Sequence, residues 1–304
     1  MLPSATEIVC ALGLADSLVG VTHECDHPAG VEGKPQLTAS RISHQTMSSA
    51  QIDHAVRSQL DGHGSIYELD EVRLQALDPE VILTQELCDV CAVSYRTVEQ
   101  AARRLDGNVT VVSLEPATIA DILANIVIVG ELTGRGDQAH ALVSSLRGRL
   151  DALVSALSSA VRRPRTVVLE WLEPPFAPGH WVPEQVSVAG GDPGFGTTGG
   201  VSRTTTAEEI SGYAPEVIVL APCGFYACDT LRALRRARLP AGWSELPAVR
   251  DGNVWAVDAT SYFSRPGPRV IDGAEILARI LHPAVMGPPE QRHALRVPPD
   301  LVRG

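Results

Sequence analysis

Residues 136–162, GDQAHALVSSLRGRLDALVSALSSAVR, hold the longest uninterrupted helical pattern in the chain. Apolar side chains recur at Leu142, Leu146, Leu150, Leu153, Val154 and Leu157, the three-and-four spacing of one buried helix face. Asp137 sits where a helix N-terminus favours an anion. Arg162 and Arg163 sit where the other end favours cations, and Pro164 stops the pattern. At 1.5 Å per residue such a helix reaches roughly 40 Å, the width of a domain. Near the middle of 304 residues it reads as a stiff bar joining two lobes, with function in the cleft they form.

The sequence on either side alternates helix and strand. Before the bar, helices are expected over about 4–13 (capped by Ser4 or Thr6), 49–60, 93–105 and 118–132, and strands over 19–22, 81–84 and 109–114. After it, strands are expected over 166–171, 217–220 and 254–257, and helices over 182–189, 208–212, 230–238 and 267–281. Such alternation implies parallel sheets. The expected fold class is α/β: two Rossmann-like lobes with mostly parallel sheets, bridged by one long α-helix. The N-terminal lobe takes 1–135, the bridge 136–163 and the C-terminal lobe 164–304. Its Pro- and Arg-rich end, after about 284, reads as a loose tail.

The halves echo each other. Pro79-Glu80-Val81-Ile82-Leu83 returns as Pro215-Glu216-Val217-Ile218-Val219, each soon followed by a cysteine, Cys88 or Cys223. Gly107-Asn108-Val109 returns as Gly252-Asn253-Val254 in the same order. An architectural repeat of two similar lobes follows.

A net charge of −11 argues against nucleic acid and anionic membrane surfaces. No 18-residue apolar run occurs, so no membrane insertion is expected. The opening residues lack a basic leader with a cleavage site, which reads as cytoplasmic for the chain as written. Six cysteines do not make a disulfide scaffold.

Ligands of parallel α/β sheets bind at the carboxyl ends of strands, and the loops expected there carry the unusual residues. His23-Glu24-Cys25-Asp26-His27 offers five donors in succession, and alternate residues of an extended loop can converge. Cys88-Asp89-Val90-Cys91 has the spacing of metal-binding or redox cysteines; Cys223 stands at the matching place in the second half. Cys25, Cys88, Cys91, Cys223 and His23 are therefore the metal-ligand candidates. Glu170-Trp171, Phe176 and Gly179-His180-Trp181 lie on a Pro-stiffened loop that suits a flat apolar ligand, with His180 as hydrogen-bonding group or axial metal ligand. Tyr262, Phe263 and Arg265 follow the last strand and can close the cleft on an anionic group; Arg41 is a similar candidate in the first lobe. The Gly-rich run over 190–200 is no phosphate loop and reads as a flexible connection. No G-x-S-x-G occurs, and no nucleophile stands beside a base at motif spacing.

At these residues the chain resembles the class III substrate-binding proteins, the cobalamin- and ferric-siderophore-binding components of ABC importers. Leu2-Pro3-Ser4-Ala5-Thr6-Glu7-Ile8, Val19-Gly20-Val21-Thr22, Leu77-Asp78-Pro79-Glu80-Val81-Ile82, the long helix and Ala214-Pro215-Glu216 carry the resemblance. His23-Glu24-Cys25-Asp26, the cysteine pair and Gly179-His180-Trp181 look like a branch usually labelled cobalamin-binding. The resemblance implies two lobes on one helix, a ligand between them, a monomer, an ABC permease as partner, and no catalysis. Ser4, Thr6 and Glu24 then join the ligand candidates. It also implies an extracytoplasmic place if the true start lies upstream.

Three functions stay open. One is a non-catalytic receptor for cobalamin, another corrinoid or a related metal chelate. The second binds zinc, iron or an iron–sulfur cluster directly through the cysteines. The third is an enzyme acting on a chelate, with Glu24, Asp26, Glu170 and His180 as acid–base groups.

Overall fold

The computed structural model describes residues 1–40, 47–61, 67–85, 95–103, 109–158 and 162–302. Arg41, Cys88 and Cys91 lie outside them, as does the Gly107-Asn108 half of the second echo. The chain divides into two units.

The first unit comprises Met1–Gln45, His54–Pro116 and Ala120–Ser144. Helix α1 (Pro3–Ala11) starts on a proline, whose fixed φ suits the first helical position and whose missing N–H is not needed there. Leu2 is therefore the cap, while Ser4 and Thr6 are buried inside the first turn. The strand expected over 19–22 is a single bridge, Val21 to Gln36. Its partner segment runs through Pro35, which has no N–H to continue a ladder. Strand β1 (Thr38–Ser40), helix α2 (Ser49–Asp61), strand β2 (Tyr67–Leu69) and helix α3 (Glu71–Leu77) follow, with β1 and β2 antiparallel. Strand β3 (Val81–Thr84), helix α4 (Tyr95–Ala102) and strand β4 (Thr110–Ser113) come next, with β3 and β4 parallel in full register. Helix α5 (Ile119–Leu132) buries Ile122, Leu123, Ile126 and Val129, each contributing ~1.5–3 kcal/mol if fully exposed otherwise.

Helix α6 (Gly136–Leu157) is the expected long helix, 22 residues and so roughly 33 Å. Its first nine residues belong to the first unit and the remainder to the second. Ala139, Val143, Leu146, Leu153 and Leu157 form its buried stripe; Val154 is exposed. Arg162 and Arg163 lie past its end. Arg162 pairs with Glu216, and Arg163 donates to the main-chain oxygens of Ser187 and Gly191.

The second unit comprises Thr46–Asp53, Ala117–Ile119 and Ser145–Gly304. Its elements are β5 (Thr166–Leu169), β6 (Trp171–Leu172), β7 (Pro175–Ala177), α7 (Val182–Val188), β8 (Arg203–Thr204), α8 (Ala207–Tyr213), β9 (Val217–Leu220), α9 (Ala227–Leu234), α10 (Pro247–Arg250), β10 (Val254–Val257), α11 (Ala259–Tyr262), α12 (Val270–Leu281), α13 (Pro283–Met286) and β11 (Ala294–Arg296). The main sheet runs β11-β10-β9-β5, with β5, β9 and β10 parallel and β11 antiparallel. The core over this sheet takes Val167, Leu169, Ile218, Leu220, Trp243 and Val254.

Two expectations fail in this unit. The loose tail is instead α13 and the edge strand β11, and Val297 and Val302 are buried in the core. At the sheet edge β11 buries Ala294 and leaves Arg296 exposed, and proline-rich flanks disguise the strand. The Gly-rich run is packed, not a free connection. Within it, Asp192 accepts from the Thr166 N–H at 2.8 Å and donates its own N–H to the Pro164 carbonyl at 2.9 Å, and a Cβ on Gly191 would lie 2.8 Å from Leu281.

The echo between the halves is structural. Helices α3 and α8 are each N-capped by a side chain, Asp70 and Thr206. Both end on a left-handed residue, Asp78 (φ 43°) and Ala214 (φ 50°), before Pro-Glu and a strand. In each unit that strand pairs in parallel with the next one of the repeat, β3 with β4 and β9 with β10.

Candidate functional site

In the second unit the loops after β5, β9 and β10 share one edge of the sheet, because the three strands are parallel. Hydrogen bonds lace them together. Cys223 N–H donates to the Glu170 carbonyl at 3.1 Å, and the Ala259 and Thr260 N–H groups both donate to the Phe225 carbonyl. Trp171 faces Phe176 across the β6–β7 ladder and meets Phe225 edge-on at 5.5 Å. Its indole N–H is spent on the Ser49 carbonyl at 3.1 Å, the first residue of α2. Glu170 accepts from the Ser202 hydroxyl at 2.5 Å. Trp181 donates to the Phe263 carbonyl at 2.8 Å, and Gln185 to those of Tyr262 and Val270 at 3.0 and 2.8 Å. Trp181 and Phe263 are both buried. Their place is in packing, while Trp171, Phe176 and Tyr262 are half-buried.

His180 stands apart. Its backbone is left-handed, φ 51°, which costs a non-glycine residue roughly 1–2 kcal/mol. Two main-chain bonds hold it there, His180 N–H to Gly200 O at 2.6 Å and Gly199 N–H to His180 O at 2.9 Å. Gly179 is required beside it, since a Cβ would run into the main chain of residues 200–202. The ring's Nε2 is buried without a hydrogen-bond partner, and burial pushes the imidazole below its ordinary pKa range. A neutral imidazole with an unused nitrogen, on strained backbone, is the arrangement found at ligand sites. Thr260, in α11 just after β10, likewise has a buried hydroxyl without a partner.

Tyr262 lies under Arg269 at 5.6 Å and edge-on to His293 at 5.2 Å. Asp258 is buried and accepts from Ser261 N–H. Burial raises its pKa, against the pull of that bond and of Arg269 and Arg265. Arg265 is itself buried.

In the first unit the donor-rich segment 23–28 is organised around threonines. Cys25 is buried with its Sγ 3.2 Å from the hydroxyls of both Thr6 and Thr22. His23 Nδ1 lies 2.7 Å from the Thr38 hydroxyl, and its ring tilts against Tyr67 at 5.6 Å. Burial, the larger effect, lowers the His23 pKa, against a hydrogen bond to the Thr38 main chain that raises it. Ser4 is buried on α1, and Glu24 sits near the Tyr67 hydroxyl at 3.5 Å. Among the described residues no three His, Cys, Asp or Glu side chains form a metal-sized group. Cys25 and His23 are each committed to threonines instead. Cys223 lies on the loop after β9, half-exposed.

The sequence pattern of the periplasmic binding protein family matches residues 2–260. The chain belongs to this family. The Bacillus subtilis (strain 168) uncharacterized ABC transporter substrate-binding lipoprotein YvrC is 25% identical over 290 residues, 93% of this chain and 79% of that one. The vitamin B12-binding protein of Vibrio cholerae is 24% identical over 279 residues, 90% of this chain and 84% of its relative. A periplasmic heme binding protein from Pseudomonas aeruginosa has the same fold, with a TM-score of 0.70 at 19% identity over 93% of this chain and 91% of that one. The fold of this periplasmic binding protein is thus shared with these solved relatives, and the relatives named for a role are named as binding proteins.

Sequence reasoning missed Thr38, Tyr67, Gln185 and Ser202, whose roles depend on partners 15 to 85 residues away. Glu184 is a further residue without a spacing signal. It accepts from Ile119 N–H at 2.8 Å and so caps α5. A threonine or glutamine in a polar loop carries no spacing signal of its own.

Proposed function

We propose that this protein binds a flat, pre-assembled metal chelate, a corrinoid first of all, and passes it unaltered to an ABC permease outside the cytoplasm. The observation that carries the reading is His180: a neutral imidazole with a buried, unused Nε2 on a strained backbone. One such nitrogen is a poor site for a bare ion, which needs about four ligands, but it fits the axial position of a metal whose other positions a macrocycle fills. Trp171, Phe176 and Tyr262 supply apolar surface for the ring. Ser4, Thr6, Glu24, Glu170 and Arg265 remain candidates for its polar rim. Membership of the family and the names of its B12-, heme- and lipoprotein-type relatives support a chelate as cargo, a permease as partner and an extracytoplasmic setting.

Absorbance titration with diaquacobinamide, aquacobalamin and hemin tests the reading. One equivalent of a corrinoid should bind with a shifted spectrum, and His180→Ala should weaken binding tenfold or more, about 1.4 kcal/mol. No spectral or calorimetric change with any of the three would overturn it.

A further inference from the structure

Thr38 and Tyr67 grip His23 from a single ladder. Thr38 pairs with Leu69 and Ser40 with Tyr67, so Thr38 and Tyr67 are diagonal neighbours on one face of β1–β2. The Thr38 hydroxyl takes two contacts from the same residue, the His23 N–H at 3.2 Å and the ring Nδ1 at 2.7 Å. Tyr67 meets the ring at 5.6 Å and fixes its tilt. The ring therefore has one orientation, with Nδ1 turned to Thr38 and Nε2 left without a partner among the described residues.

A hydroxyl has one proton and two lone pairs, whereas a neutral imidazole has one N–H and one acceptor nitrogen. We propose that Thr38 accepts from both His23 groups and holds the ring as its Nδ1–H tautomer, so that Nε2 faces the ligand as an acceptor. An acceptor distinguishes two classes of macrocycle rim. An amide N–H can donate to it; a carboxylate at neutral pH has no proton to give and is repelled. His23 is then a specificity-determining contact that selects amide-rimmed chelates over carboxylate-rimmed ones, and Thr38 is its positioning residue. With the opposite tautomer Nε2–H would donate to amide oxygens and more strongly to carboxylates, and the preference for amides would be lost. The inference rests on the chelate-binding reading and sharpens its ligand class.

Two arms test it. In the unliganded protein labelled with 15N-histidine, two-bond 1H–15N correlations report the tautomer directly. His23 should show the Nδ1–H pattern in wild type and in Thr38→Ser, and lose it in Thr38→Val. An Nε2–H pattern in wild type overturns the positioning role, whatever the protein binds. In the second arm, affinities are compared for diaquacobinamide and diaquacobyrinic acid, the same corrin ring with carboxylates replacing amides. Wild type should favour the amide form, and His23→Leu and Thr38→Val should each cut that preference about tenfold while Thr38→Ser retains it, one hydrogen bond's worth of discrimination. An unchanged ratio in His23→Leu overturns the specificity role. Failure of both corrinoids to bind wild type overturns the specificity role, while the hemin titration still decides the chelate reading and the tautomer arm still decides what Thr38 does.

Discussion

Trp181 donates its indole N–H to the main-chain oxygen of Phe263 at 2.8 Å, so two aromatic residues that read as ligand walls are joined to each other inside the second unit. The bond joins the start of α7 to the segment after α11. Trp181→Phe keeps most of the ring and leaves that carbonyl buried without its donor. Stability should fall by about 1–3 kcal/mol, read as an earlier urea midpoint with an unchanged slope. An unchanged midpoint would mean the bond contributes nothing.

Ala214 holds a left-handed backbone that only glycine adopts without cost. Ala214→Gly should relieve roughly 1–2 kcal/mol of strain and return part of it as unfolded-chain entropy. A net gain of about 0.5–1 kcal/mol is expected in thermal or urea unfolding. A loss would contradict the left-handed corner.

Much of this corner was legible. Pro-Glu-Val-Ile after a helix marked the same turn in both halves, and buried strands of four apolar residues need only local sequence to be found. The α5 stripe was equally visible, since its burial follows the helical period; of the expected α6 stripe Leu146, Leu153 and Leu157 are buried while Val154 is exposed. What lay beyond reach depends on distant partners. β11 exists because β10 offers an open edge, and nothing in Ala294–Arg296 announces it. The candidate site was legible as a set of loops and as His180, but not as a division of labour. Trp181 is spent on packing, Cys25 on two threonines, and His23 is aimed by a threonine that has no motif.

Arg149 of α6 bonds Glu275 through Nε and Nη2, at 3.0 and 2.7 Å, and Asp272 at 2.5 Å, both on α12. These acids raise the guanidinium pKa further. The Arg149 side chain is 37% exposed, so water screens the cluster and its worth is reduced. Arg149→Ala should cost about 1 kcal/mol in low salt and less in high salt. Salt-independent loss would assign the effect to packing of the arginine stem instead.

His23 and His180 both have pKa values lowered by burial. A base whose folded-state pKa is depressed takes its proton more readily when unfolded. Each therefore withdraws stability as pH falls below the unfolded value near 6.5, until the folded value is passed. Asp258, raised by burial, acts in the opposite direction at lower pH, where its protonation favours the folded state. Stability measured from pH 7.5 down to 5.5 should decline, and the decline should shrink in His180→Asn. An identical slope in that variant would remove His180 from the account.

Coordination by His180 is tested most directly by electron paramagnetic resonance of bound cob(II)inamide. With unlabelled protein, each cobalt line should split into three through one axial 14N. With 15N-histidine protein the same lines should split into two, and His180→Ala should show no nitrogen splitting. Bound cob(II)inamide without nitrogen splitting in wild type, or with the splitting intact in His180→Ala, would contradict the assignment.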